Sequence, residues 1–189
     1  MNPVDGVITL FLFRTFNKVT TQFCAGRLRC QDTRSLNFFV SASPIHKSVL
    51  LWHSAQEMFA LVTDIEHYPQ FLPWCEQGEV LEKTDDGMVA RVGMAISGLR
   101  QSFTTRNTHE VDRKVQMELV DGPFSKLDGV WAFTPIGDGS QRACKVEFQL
   151  SYGFSSTALA ALVGPVFDKI AGSLVDAFVK RADQVYGGV

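Results

Sequence analysis

The sequence predicts an α+β fold in which a curved antiparallel sheet of about six to seven strands wraps around a long C-terminal helix, with a short helix after the first strand. Three observations carry this. From Ser156 to Tyr186 apolar residues recur at helical spacing: Leu159, Val163, Val166, Phe167, Ile170, Leu174, Ala177 and Phe178 share one broad side, and Asp168, Lys169, Asp176, Lys180 and Asp183 lie opposite. Between Glu76 and Tyr152 the period shortens to two, and turn residues such as Asp85-Asp86-Gly87 and Asp112-Arg113 interrupt it at close intervals. Near the start of this region Ser54 and Glu57 stand at capping-box spacing ahead of a short apolar run.

Residues 1–42 show no sustained period and are read as a poorly ordered N-terminal extension. Their arginines and serines with few acids leave a mitochondrial transit peptide as a second reading. The domain occupies residues 43–189. Ile45 to Trp52 reads as the first strand, and Ala55 to about Thr63 as a helix burying Met58, Phe59, Leu61 and Val62. In Tyr68-Pro69-Gln70-Phe71-Leu72-Pro73-Trp74 the prolines prevent a long helix, and the aromatics either plug a core or line a pocket. Met88, Ala90, Val92, Met94 and Ile96 are predicted inward. The next strand places Gln101, Phe103, Thr105 and Asn107 on one face and Ser102, Thr104 and Arg106 on the other. Both faces are polar, which fits an edge strand or groups that meet a ligand or water. Val115, Met117 and Leu119 follow inward, then a Gly122-Pro123-Phe124 loop with an aromatic at its tip. Leu127, Gly129, Trp131 and Phe133 alternate, as do Cys144, Val146, Phe148, Leu150 and Tyr152. In the last helix Pro165 removes a backbone donor and crowds the Ala161 carbonyl, so a kink is expected at Gly164-Pro165. A kinked helix need not seal against a curved sheet, and the gap would be an apolar cavity.

The 46% hydrophobic and 20% charged residues describe an ordinary globular chain, and no uninterrupted apolar run approaches spanning length. The net charge of -2 divides unevenly. Residues 1–44 carry five basic against two acidic side chains, so the rest is acidic, which argues against DNA or other delocalised nucleic-acid binding. Cys24, Cys30, Cys75 and Cys144 form no CxxC pair and no metal-ligand spacing, consistent with reduced thiols in the cytoplasm. No metal and no cofactor is expected.

Five segments in order, Tyr68-Pro69-Gln70-Phe71-Leu72-Pro73-Trp74-Cys75, Arg100 to Asn107, Leu119 to Phe124, Gly164-Pro165-Val166-Phe167 and Val175 to Ala182, resemble the START-like, or helix-grip, superfamily of polyketide cyclase/dehydrase and lipid-transport proteins. Within it the chain is similar to the bacterial ribosome association toxin RatA and to mitochondrial coenzyme Q-binding proteins. The resemblance spans residues 45–188 and leaves residues 1–44 uncovered. It implies ubiquinone binding in support of respiration on one side. On the other it implies a toxin that binds the large ribosomal subunit and blocks subunit joining.

Weighed as chemistry, His46, His53, His67 and His109 lie outside any paired metal spacing and read as surface or capping groups, and no catalytic residue is assigned. The expectation is a non-enzymatic protein that binds ubiquinone or a related isoprenoid lipid between sheet and last helix, with peripheral membrane contact for ligand exchange. Its lining is expected to include Phe71, Trp74, Phe103, Trp131, Val163, Val166, Phe167 and Ile170, with Gln101, Arg106 and Asn107 as polar contacts and Gly122-Pro123-Phe124 as a lid. A ribosome contact through Lys180 and Arg181, with Arg100 and Arg106, is the alternative, and a cyclase-like enzyme the second alternative.

Overall fold

The computed structural model describes residues 44–96, 98–139 and 141–187. The predicted N-terminal extension, including Cys24 and Cys30, lies outside the described residues. Strand β1 (Ile45–Leu51) and helix α1 (Ala55–Thr63) are followed by a 3-10 helix over Ile65–Gln70. Then come β2 (Cys75–Thr84), β3 (Gly87–Ile96), β4 (Leu99–Glu110), β5 (Lys114–Asp121), β6 (Phe124–Pro135), β7 (Cys144–Phe154) and α2 (Thr157–Tyr186). Apart from the 3-10 helix, which takes the place of a proline-constrained connection, this is the order the sequence predicts.

Local chemistry explains the boundaries. The Ser54 hydroxyl accepts from Glu57 N at 3.1 Å and the Glu57 carboxylate accepts from Ser54 N at 2.8 Å, closing the capping box that starts α1. Burial opposes ionisation of Glu57, but the Arg142 guanidinium and the Ser54 bonds outweigh it and hold the carboxyl below its usual range. After α1 the Tyr68 hydroxyl donates to the Val62 carbonyl at 2.6 Å, which folds the proline-limited 3-10 segment back onto the helix.

The strands form one antiparallel sheet in the order β1-β7-β6-β5-β4-β3-β2. Helix α2 packs on β7 and β1 at one end of this order and also meets β3 near the other. Four strand spacings separate β7 from β3, about 19 Å if flat, whereas a helix with its side chains is about 10–12 Å wide. The sheet therefore curls around α2. Register shifts at Val80/Glu82, Thr104/Thr105 and Phe124/Lys126 supply local bends.

Two aromatic clusters hold α2. Phe178, fully buried, lies 5.2 Å from Trp131, 5.3 Å from Tyr68 and 5.1 Å from Phe71, centroid to centroid. Eleven positions earlier, about 16 Å along the axis, Phe167 lies 4.6 Å from Tyr152 and 5.3 Å from Phe124. Beside it the Tyr152 hydroxyl donates to Asp168. The C-terminal end is further tied by His53 Nε2, 2.7 Å from Asp183 Oδ1, and by Arg142, which donates to the Tyr186 carbonyl at 2.9 Å.

Two expectations change here. Helix α2 carries Pro165 inside it and does not end at Gly164-Pro165. Gly164 lacks the Cβ that would collide with the proline ring in a helical conformation, so the pair is accommodated without ending the helix. Phe124 is not an exposed loop tip: it is the first residue of β6, 4% exposed, and stacks on Phe154 at 5.1 Å. Finally, α2 is by length and composition apolar enough to cross a membrane, although it also supplies six buried residues to the core.

Two glycines separate space from conformation. A Cβ on Gly78 would stand 2.0 Å from the Ile65 carbonyl oxygen, whereas one on Gly172, within α2, would meet nothing. Gly78→Ala is expected to lower unfolding stability by about 1–3 kcal/mol, and Gly172→Ala to raise it by about 0.5–1 kcal/mol. Urea denaturation of both variants checks this.

Candidate functional site

Between the two clusters α2 presents Ile170, Ala171 and Leu174 to the sheet, and the small Ala171 leaves space. The result is a cavity of about 90 Å³ lined by residues of α1, the 3-10 helix, β3 to β7 and α2. Trp131, Phe148, Leu150, Leu127, Met117 and Val115 form its floor, Phe167 and Phe178 its two ends. Among the described residues no Lys, Arg, Asp or Glu lines it.

Its polar members differ in how they are satisfied. Thr63 donates to the Phe59 carbonyl at 2.9 Å and Tyr68 to Val62, so both are occupied within their own segment. The inner face of β4 is different. Thr105 and Asn107 are 4% and 3% exposed, and His109 continues the same face two residues on. Asn107 Oδ1 and His109 Nε2 are buried without a hydrogen-bond partner among the described residues. Each such group costs on the order of 1–3 kcal/mol when left unmade. Burial holds the His109 imidazole below its usual pKa, an effect that the Asp86 charge opposes in part. The ring rests edge-on against Phe59 at 5.7 Å.

Of the residues the sequence proposes for the lining, the fold gathers Trp74, Phe103, Trp131, Phe167, Ile170 and Asn107 around this cavity. The others lie elsewhere. Phe71 packs behind Phe178 and under the Arg181 guanidinium, 5.4 Å from its ring centre. Val163, Gln101 and Pro123 border a separate void of about 10 Å³, room for one water. Val166, 37% exposed, faces an outer groove of about 200 Å³. Arg106 is exposed and, because β4 alternates, points away from Thr105 and Asn107. Gly122, at φ 143, lies against Phe103, and Phe124, expected in the lid, is buried in the core. Arg181 donates to Gln70 Oε1 at 2.7 Å, which leaves Lys180 as the freely exposed cation of the predicted pair.

Sequence reasoning missed His109, read as a surface or capping group, and Ala171. The signal for His109 was present: it extends the Phe103, Thr105, Asn107 alternation by one step. Ala171 carried none, because a small residue on a helical stripe marks a gap only when its opposite wall is known.

A curled antiparallel sheet closed by one long helix over an apolar cavity is the START-like, helix-grip arrangement. The sequence model described as polyketide cyclase/dehydrase and lipid transport matches residues 51–179, and the chain belongs to that family. Ribosome association toxin RatA of Pseudomonas aeruginosa is 41% identical over 143 residues, covering 76% of this chain and 97% of its own. Coenzyme Q-binding protein COQ10 homolog B, mitochondrial, of Xenopus laevis is 28% identical over 142 residues, covering 75% of this chain and 58% of its own. Among solved structures, a START superfamily protein from Mycobacterium smegmatis aligns with a TM-score of 0.62 at 23% identity, over 75% of this chain and 98% of its own. The Zhui aromatase/cyclase from a Streptomyces species aligns at 0.65 with 14% identity, over 78% of this chain and 99% of its own.

The lowered pKa of His109 sets a pH dependence with a definite sign. The unfolded chain, with an ordinary histidine pKa near 6.5, takes up the proton at a higher pH than the folded one. Stability is therefore lost as pH falls through about 6.5, and the loss levels off below the folded pKa. Urea midpoints at pH 7.5 and 5.5 are expected to differ less for His109→Gln than for the natural chain.

Proposed function

We propose that this protein binds, without chemically transforming it, a hydrophobic ligand of the ubiquinone or related isoprenoid type between α2 and the sheet, in the bacterial cytoplasm and in support of respiration. The observation that carries this reading is the apolar cavity whose unpartnered polar groups form one strip. On a scale where one water needs roughly 10–15 Å³, about 90 Å³ admits a ring-sized group. A long isoprenoid tail does not fit with it. Trp74, Ile170 and Leu174 line both the cavity and the outer groove beside Val166, so a tail leaving past them would lie along that groove. The exposed Leu162 and Val166, within a stretch free of charged residues from Thr157 to Phe167, suit a peripheral membrane contact for exchange. The coenzyme Q-binding name of one relative supports the ligand class.

The second reading is association with the large ribosomal subunit, favoured by the toxin relatives at 41–42% identity. It places function on the surface. Arg100, Arg106 and Lys180 are its exposed cations, and Arg100 is already paired with Glu76 at 3.1 Å.

Two experiments separate the readings. Lipid extraction and mass spectrometry of the purified protein should recover a quinone or other neutral lipid. Ala171→Leu, which fills the gap, should abolish that recovery and the uptake of added ubiquinone while the protein stays folded; recovery of no lipid and no uptake by the natural chain contradicts the carrier reading. In sedimentation of ribosomes, reduced subunit joining that is lost in an Arg106→Glu, Lys180→Glu double variant and kept in Ala171→Leu is the outcome expected of the second reading.

A further inference from the structure

The cavity has one polar strip, and that strip has unused hydrogen-bonding capacity. Thr105, Asn107 and His109 alternate along β4, so consecutive members stand about 7 Å apart on the same face. Asn107 is 3% exposed with its Oδ1 unpartnered, and the unpartnered His109 Nε2 follows it. The rest of the floor offers aliphatic and aromatic carbon. No charged side chain among the described residues lines the space, so a carboxylate or phosphate drawn into it would find no counter-charge and would lose its hydration. A neutral oxygen loses far less and gains the partners that the side chains lack.

We propose that Asn107 and His109, with Thr105 beside them, form the headgroup site of the cavity, and that the site selects an uncharged ring-sized group bearing hydroxyl or carbonyl oxygen while rejecting carboxylates and phosphates. This rests on the reading that the cavity takes a hydrophobic ligand and adds which end enters and what chemistry it carries. An amide and an imidazole each present a donor and an acceptor, so the pair serves a carbonyl, which accepts, and a hydroxyl, which donates. A redox pair that interconverts those two groups would therefore be held in both states. His109 is suited to the task because its suppressed protonation keeps the strip neutral.

The test compares four probes at pH 8: ubiquinone-1, its reduced quinol, decanoic acid and an oxygen-free alkylbenzene, followed by quenching of tryptophan fluorescence. The natural chain is expected to bind the quinone and the quinol within about tenfold of each other and decanoate at least about tenfold more weakly. Asn107→Leu and His109→Phe should each weaken the quinone about three- to tenfold, leave the alkylbenzene unchanged or tighter, and raise the urea midpoint of the ligand-free protein. Should a variant not fold, nuclear magnetic resonance of the natural chain gives an independent readout: the His109 ring nitrogens should shift with ubiquinone-1 and not with the alkylbenzene. Quinone affinity within twofold in both variants, or no His109 shift at saturating quinone, overturns the headgroup assignment while uptake of the alkylbenzene keeps the cavity reading. Failure of the natural chain to take up any of the apolar probes overturns both.

Discussion

The structure depends on how α2 is held at two points and left unfilled between them. Phe178 enters a cage of Trp131, Tyr68 and Phe71, and Phe167 enters a second one of Tyr152, Phe124 and Phe154. Aromatic contacts of this kind, edge-on around Phe178 and partly tilted around Phe167, add to the area each ring buries and hold the helix against the sheet. Ala171 sits between the clamps and cannot reach the floor. The cavity lies in the space between the clamps, beside an unbroken helix. The clamps differ in their support: the Phe178 end is also tied by His53 to Asp183, Arg142 to the last carbonyl and Arg181 to Gln70, whereas the N-terminal half of α2 has the Ser156 cap and the Tyr152 bond to Asp168 and exposes Leu162. Opening at the N-terminal half of α2 thus breaks fewer contacts than opening at the other end.

A partly empty core with unpaired polar atoms is a poor solution for stability alone. Packed interiors tolerate few voids, and a leucine or phenylalanine at Asn107 or His109 would remove an unsatisfied group. Local rules broken together in one place mark function more than error. Here a small residue on the helix, an amide and an imidazole on the facing strand, and the absence of charge all converge on a single space. The same cost supplies the driving force for binding, because a ligand that fills the gap and satisfies β4 recovers what the empty protein lacks.

Much of this was legible in the sequence because periodicity survives without coordinates. The alternation of Cys144 to Tyr152 and the Ser54/Glu57 box give β7 and the start of α1 directly, and the apolar stripe gives α2. Which stripe residues face the cavity was less legible. Val163, Phe167, Ile170 and Val166 share one broad face, yet they meet a small void, the cavity and an outer groove in turn, since a curled sheet covers only part of a helix surface. Arg106 was misplaced for a simpler reason: as a candidate polar contact it was taken together with Asn107, although strand alternation sends adjacent residues to opposite faces. Phe124 reads as a loop tip because Gly122-Pro123 precedes it, but strand pairing with Phe154 begins immediately after that proline.

The proposed ligand site lies within the domain and the proposed ribosome contact on its surface, so the two readings draw on separate parts of one fold. A ring bound as proposed must lie in the space between the clamps. Nuclear Overhauser contacts between a short-tailed ubiquinone and the protein address it most directly. Contacts from the quinone ring to Ala171, Trp131 and Asn107 are the predicted result. Contacts confined to surface residues such as Leu162, or none at saturating quinone, would contradict it.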